Sequence, residues 1–369
     1  MKSIRYALIG AGMMGHEHIR NIALLPGSEI TAICDPNDEM RVSATELAAS
    51  LGSGQVKSAD APENIDLASC ADCIVIVSPN HTHVDVMKSI ADLHKPVLVE
   101  KPVCTSRQQL DYLTKNLHQI AAPVWVAMEY RYMPPTSRFI ECVHGGDIGQ
   151  LHMISIQEHR FPFLHKVDNW NRFAENTGGT LVEKCCHYFD LMCLLAQATP
   201  TRVYASGGHD VNHKNESYNG RVPDIIDNAY AIVDFDSGIR AMLDLCMFAD
   251  GADPQETITC IGDRGKLEVR LPGPQRLWPG ITQREPELVH MDRVNRPPTY
   301  ETIEIDEQLL TAGDHHGSTY YQHVKFAEVV RGQGQVEVSL TDGLRAVAMG
   351  LAAEESARTG QAVEVQAVV

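Results

Sequence analysis

The residues best suited to chemistry lie in Glu183-Lys184-Cys185-Cys186-His187-Tyr188-Phe189-Asp190, entered through Gly178-Gly179. If this stretch is helical, a rotation of about 100° per residue puts Glu183, His187 and Asp190 on one face, with Lys184 and Cys185 turned away. A carboxylate then stands one turn from an imidazole. Histidine titrates nearest to neutral pH, and an adjacent acid can orient it and tune its basicity, as a general base requires. A solvent-facing polar helix shows the same spacing, so the reading depends on what the rest of the chain builds around it.

The start of the chain supplies a partner for that chemistry. Tyr6-Ala7-Leu8-Ile9 reads as a short buried strand that runs into Gly10-Ala11-Gly12-Met13-Met14-Gly15, followed by a helical pattern from His16 to Leu25. In this context the first glycine permits a tight turn and the second lets backbone approach a pyrophosphate. The third allows helix and strand to pack closely, with the helix N-terminus facing the phosphates. A second strand, Glu29 to Cys34, ends at Asp35, where an acid that binds the adenosine ribose hydroxyls is expected. A carboxylate there accepts from the 2′-OH of NAD and repels the 2′-phosphate of NADP, and the nearest arginine beyond it is Arg41. NAD is therefore expected in preference to NADP; the alternative for Asp35 is a turn cap.

The alternation continues with helices near Asp38 to Leu51 and Val84 to Leu93 and strands at Cys73 to Val77 and Val97 to Val99. Such alternation predicts a parallel sheet covered by helices. Ser78-Pro79-Asn80 through His83 and Glu100-Lys101-Pro102 then fall at the carboxyl ends of strands, where open α/β sheets bind ligands. Past residue 125, extended patterns recur at Leu151 to Glu158, Ala229 to Phe235, Ile239 to Leu245, Glu256 to Ile261 and Lys266 to Val269, with Asp236-Ser237-Gly238 as a hairpin turn. Leu271 to Pro298 reads as irregular loops.

A chain of 369 residues exceeds the usual span of one core, so two domains are expected, 1–125 and 126–369, with the final helix packing back on the first. The net charge of −17 argues against a nucleic-acid or anionic-membrane partner. No run is apolar enough to span a bilayer, and Met1-Lys2-Ser3 passes straight into a strand pattern, so a cytoplasmic protein is expected. The ten cysteines are scattered and several lie in apolar segments, which predicts reduced thiols. Zinc on His315 or His316 with Cys186 or Glu183 would have an unspecific spacing; no metal is expected.

Over essentially its whole length the sequence resembles the Gfo/Idh/MocA oxidoreductases. The resemblance rests on the Gly10 to Gly15 turn, Ser78-Pro79-Asn80 through His83, Glu100-Lys101-Pro102, the Gly178 to Asp190 segment and the closing helix from Asp342 to Gly360. It implies an N-terminal Rossmann fold and a C-terminal α/β domain on a large, open, mainly antiparallel sheet. The implied cofactor site comprises Gly10, Gly12, Met13, Met14, Gly15, Asp35, Ser78, Pro79, Asn80, His83, Glu100 and Lys101. The implied reaction is NAD-dependent oxidation of a secondary alcohol on a sugar, polyol or cyclitol, with His187 as base, Lys101 stabilising the alkoxide and Glu183 orienting one of the two cations. Glu183 departs from the family's usual aspartate, and Cys185 from a common glycine. Tyr130, Arg131, His159, Arg160, Trp170, Asn171, Arg172 and His316 are expected to shape the sugar pocket. An NAD-dependent glycoside hydrolase and a non-catalytic NAD-binding regulator are the other readings the family allows. An open sheet face needs covering, so a homodimer or homotetramer is expected.

Overall fold

A computed structural model describes residues 3–274, 276 and 284–368. Among these, two sheets organise the chain. The first contains β1 (Ile4–Ile9), β2 (Ser28–Cys34), β3 (Lys57–Ala59), β4 (Cys73–Ile76), β5 (Val97–Val99) and β6 (Val124–Val126), in the order β3-β2-β1-β4-β5-β6. All its pairings are parallel. A strand buried on both faces reads as an unbroken apolar run, and β4 and β5 are buried at every residue. The order reverses between β1 and β4, so the loops leaving these two strands diverge and open a crevice at their carboxyl ends.

The second sheet contains β7 (Leu151–His159), β8 (Pro200–Gly208), β9 (Asn228–Phe235), β10 (Arg240–Cys246), β11 (Glu256–Gly262), β12 (Gly265–Leu271), β13 (Glu287–Asp292), β14 (Thr299–Thr302) and β15 (Val363–Glu364). Its order is β14-β13-β12-β11-β7-β10-β9-β8-β15, antiparallel throughout except where β7 lies parallel to β10. Burial alternates along β9 and β10, as a period of two requires when one face meets the core. The inner face packs under helices Cys186–Ala196 and Leu340–Thr359. The outer face leaves Met153, Tyr204, Tyr230, Ile232 and Met242 exposed.

The long helix Leu340–Thr359 ties the layers together. Ser339 and Asp342 form a reciprocal capping box at its start, and Gly360, in the left-handed region, ends it. Along its length it touches β6, β8 and both helices of the Gly178 to Ala196 segment. Gly350 permits that approach, because a Cβ there would stand 2.7 Å from the Leu181 carbonyl oxygen. Helix Ser318–Val330 packs on Met13–Ala23 in the first layer. No helix among the described residues is long and apolar enough to cross a membrane, and all ten cysteines are free.

Two expectations need correction, and one strand, β8, was not anticipated. Leu271 to Pro298 is not wholly irregular: β13 lies within it, recruited by pairing with β12 despite Pro and Gly on either side; residues 275 and 277–283 fall outside the described residues. Strand β8, which starts at a proline and ends in Gly207-Gly208, carries too few apolar residues in alternation to stand out, yet it pairs along its length with β9. The stretch from Glu183 to Asp190 is not one helix. A helix over Thr180–Glu183 stops, Lys184 and Cys185 make a turn, and a second helix runs over Cys186–Ala196.

Asp190, expected on the face shared by Glu183 and His187, is instead the buried half of an ion pair. Arg131 donates to it through Nε at 2.6 Å and Nη2 at 2.5 Å, and through Nη1 to the Glu337 carbonyl. Removing one partner of a buried pair leaves the other charge uncompensated, which typically costs about 3–5 kcal/mol. Arg131→Met should therefore lower unfolding stability in denaturant titration by roughly that amount while leaving dinucleotide binding intact; a loss below about 1 kcal/mol, the range of exposed pairs, would contradict this account of the pair.

Candidate active site

The crevice between the two layers is a single cavity of about 1780 Å³, lined from one end by the glycine turn and from the other by the Lys101 and His187 region. At the glycine end, Gly10 sits at φ +108°, and a Cβ there would stand 2.4 Å from the Val77 backbone. The turn thus lies directly on the loop after β4. A Cβ at Gly15 would meet the Gly10 carbonyl oxygen at 2.9 Å, whereas one at Gly12 would meet nothing within 4 Å. Open space at the second glycine only is what close approach of a pyrophosphate requires. Helix Met13–Ala23 begins at Gly12 with no side-chain cap and no acid in its first turn, so its leading N–H groups are free for an anion.

Asp35 closes this end. Its Oδ2 accepts from Ala11 N at 2.7 Å and its Oδ1 from Asn37 N at 2.8 Å, fixing the carboxylate beside the turn. Arg41 is committed elsewhere, donating to the Asp35 carbonyl at 2.6 Å and pairing with Asp38. Met13, Met14, Ser78, Pro79, Asn80 and Glu100 also line the cavity. The residues present therefore fit a dinucleotide.

The other end is built on the helix break. Gly178 and Gly179 both have positive φ, and a Cβ on Gly179 would strike the Glu354 carboxylate, whose Oε1 caps Leu181 N at 2.8 Å. The short helix that follows ends at Glu183, whose carbonyl accepts from Lys101 Nζ at 3.0 Å. Lys101 itself comes from the loop after β5, where His83 places its two ring nitrogens 2.9 Å from the carbonyls of Ser78 and Pro102. Two loops of the first sheet are thus tied together beneath a helix of the second domain. One turn past the break, the His187 ring stacks flat on Tyr130, centroids 4.0 Å apart. Its Nδ1 is buried without a hydrogen-bond partner.

Charge, not contact, sets the character of this end. Burial, and then the Lys101 ammonium, push the pKa of His187 well below the usual imidazole value, against the pull of Glu129. Burial also opposes the charge on Lys101, yet Cys186, Glu183, Glu100 and Glu129 outweigh it and hold its pKa above the ordinary lysine value. Burial raises the Glu183 carboxyl, and the cations that act against this are Lys101, Lys166 and Arg172. Among the described residues no hydrogen bond joins Glu183 to His187: both the Glu183 Oε2 and the His187 Nδ1 are buried without a partner. The carboxylate acting on the ring is Glu129, which burial would raise but which His315 Nδ1, 3.0 Å away, keeps well below the usual range.

Three comparisons bear on what such a cleft belongs to. Residues 4–128 match the oxidoreductase-family model for an NAD-binding Rossmann fold, and residues 140–365 match the Gfo/Idh/MocA C-terminal α/β domain. This chain belongs to the Gfo/Idh/MocA oxidoreductase family. Among curated proteins, it is 23% identical to an uncharacterized oxidoreductase, YrbE, of Bacillus subtilis, over 99% of this chain and 97% of that one. It is 26% identical to inositol 2-dehydrogenase of Rhizobium meliloti over 55% of this chain and 58% of that protein. The solved structure of the WlbA dehydrogenase of Bordetella pertussis with NADH and UDP-GlcNAcA shares its fold, with a TM-score of 0.74 at 19% identity, covering 99% of this chain and all of that one.

As a Gfo/Idh/MocA oxidoreductase the protein carries an NAD-binding Rossmann domain, and the cavity gathers most of the residues singled out from sequence. Tyr130, Arg160, Trp170, Asn171 and His316 line it together with Lys101, Glu183 and His187. Four of the sequence's site residues are not brought there. His159 pairs with Asp244 at 3.1 Å across neighbouring strands, Arg172 is buried against Glu216, Arg131 is bound to Asp190, and His83 is a tie between loops. Gly15 acts through packing, not exposure. Conversely, Lys184 was expected to turn away and instead lines the cavity, donating to the Tyr130 hydroxyl at 2.5 Å and pairing with Glu158 at 2.9 Å. The break in the helix rotates it inward. Glu17 and Glu129 escaped notice too; the available signals were a position two residues past the glycine motif and one at the carboxyl edge of β6.

Gly12 offers a test that separates binding from folding. Its backbone, at φ −71° and ψ −162°, tolerates any L-residue. Gly12→Val should melt with the wild type yet lose at least about tenfold in dinucleotide affinity, about 1.4 kcal/mol, by calorimetric titration. Undiminished binding would mean the pyrophosphate lies elsewhere.

Proposed function

We propose that the protein is an NAD-dependent dehydrogenase that oxidises a secondary alcohol of a sugar, polyol or cyclitol. The observation that carries this reading is a buried His187, its pKa pushed well below the usual imidazole value by burial and the Lys101 ammonium, lining one cavity with Lys101 and the glycine turn. When bound, the nicotinamide supplies a hydride acceptor for the carbinol carbon. His187 takes the hydroxyl proton; an imidazole that is unprotonated at neutral pH is ready to do so. Lys101 spends one of its three N–H donors on the Glu183 carbonyl. The others are free to hydrogen-bond the oxygen as negative charge develops there.

Glu183 works on the cations. Its Oε2 is buried and unpartnered, and the charges facing it are Lys101, Lys166 and Arg172, so it steadies Lys101 and offers an acceptor to a substrate hydroxyl. Trp170, with Lys166 at 5.8 Å over its ring, offers an aromatic face for a sugar or cyclitol ring. NAD is preferred to NADP because the Asp35 carboxylate, held beside the turn, would face a 2′-phosphate with like charge while Arg41 is already engaged. Met153, Tyr204, Tyr230, Ile232 and Met242 form an exposed apolar row on the second sheet, and a homodimer or homotetramer through this face supplies a cover for it. Light scattering should return a mass of two or four chains; a monomer at micromolar concentration would leave the face for another partner.

The chemistry is tested on a panel of inositols, aldoses and glycosides, following reduced nicotinamide with NAD and NADP. Net reduction of NAD marks a dehydrogenase; glycoside cleavage without it marks a hydrolase. On the best substrate, His187→Ala should lose about 10²–10⁴-fold in turnover and Lys101→Ala about 10²–10³-fold, both still binding NAD by calorimetry. Near-normal turnover in either variant would remove that residue from the mechanism.

A further inference from the structure

In the cleft wall, a carboxylate oxygen of Glu17, one of Glu129 and a ring nitrogen of His315 lie within 4.8 Å of one another. The hydroxyl of Thr319 joins the two acids: its Oγ1 is 3.0 Å from Glu17 Oε1 and 2.6 Å from Glu129 Oε2. A hydroxyl has one proton to donate, and an ionised carboxylate has none. With both acids ionised, one of these two contacts would set lone pair against lone pair in a buried site. A proton on one acid makes that acid a donor to Thr319 and turns both contacts into hydrogen bonds.

The surroundings decide which acid carries it. Glu129 Oε2 also accepts from Ser318 Oγ at 2.9 Å, and its Oε1 lies 3.0 Å from His315 Nδ1, so a hydroxyl donor and a nearby imidazole both favour its anion. Thr319 is the one hydrogen-bond partner of the Glu17 carboxyl among the described residues, and Gly313 covers it so closely that a Cβ there would stand 2.6 Å from Oε1. We propose that Glu17 and Glu129 share a single proton through Thr319, with Glu17 as the resident acid of the cleft and Glu129 as the anion that supports a proton on His187. This rests on the reading of His187 as the base.

Burial and the Glu129 charge bring the pKa of Glu17 up to about 7. The other charged and titratable groups facing Glu17 are His315 and Asp314, with Arg276 paired to Asp314, His18 on its own helix and Lys166 across the cleft. Those facing Glu129 are His315, His187, His18, His323, Lys101 and Tyr130. Transfer is balanced: the carboxyl proton of Glu17 passes to Thr319 Oγ1 as the hydroxyl proton of Thr319 passes to Glu129 Oε2, and no electrons change hands. Once the pair loses its proton, a second negative charge stands in the wall and His187 becomes a stronger base. Glu17 acts through Glu129 and is a positioning residue.

The test is pH-difference infrared spectroscopy on the full chain without substrate. Glu17 and the buried Glu354, whose carboxyl is also pushed up to about 7, should both contribute to a protonated-carboxyl carbonyl band that disappears near 7; Glu17→Gln should remove one part of it and Glu354→Gln the other, and the kcat/KM profile should lose its ionisation near 7 in Glu17→Gln. Thr319→Val, which removes the bridge and spares both acids, should move the midpoint of the Glu17 component. A wild type without that band, a band undiminished in Glu17→Gln, or an unmoved Glu17 component in Thr319→Val would overturn the shared proton. The infrared measurement needs no turnover, so it fails or succeeds independently of whether His187→Ala retains activity.

Discussion

Lys101 joined to the Glu183 carbonyl is the contact on which the cleft depends. The lysine is delivered by the loop after β5, tied by His83 to the loop after β4, and the carbonyl by a helix end that a glycine pair places under Leu340–Thr359. A continuous helix would use that carbonyl internally. The break at Lys184 and Cys185 makes it available to another side chain, and the same break turns Lys184 into the cavity. One local interruption thus joins the Rossmann layer to the second domain and sets two of the cations that line the cleft.

From that contact the electrostatics follow. Burial disfavours a positive charge on His187 and the Lys101 ammonium adds to that, while Glu129, held by Ser318 and Thr319, pulls the other way. Tyr130 keeps the ring in place from one side, and Lys184 with Glu158 fixes Tyr130 in turn. The arrangement is rigid because each member is held by a partner behind it, which is the usual requirement for a site whose geometry must be ready before the substrate arrives.

How much of this could be read from the chain depends on the range of the interaction. The Rossmann half was legible because its signals are local: a glycine turn after an apolar strand, an acid at the end of the next strand, apolar runs of the right length. His187 and Lys101 were legible because each sits in a compact motif. The relation between Glu183 and His187 was not, since the helical period assumes an unbroken helix and the break is stabilised by a lysine 82 residues away. Arg131, His159 and Arg172 have residue types that suit a sugar pocket, yet each has as its partner an acid 44 to 85 residues away, and pairing at that range leaves no trace in local spacing. Strands β8, β13 and β14 are likewise defined by their neighbours more than by their own composition.

The account turns on the protonation state of one ring, and nuclear magnetic resonance of isotopically labelled histidine in the intact protein reads it directly. The account predicts that His187 remains a neutral imidazole at pH 6.5, titrating only well below the ordinary histidine value, and that its titration moves upward in Lys101→Met. A His187 that is an imidazolium at neutral pH, or that titrates identically with and without the lysine charge, would contradict it.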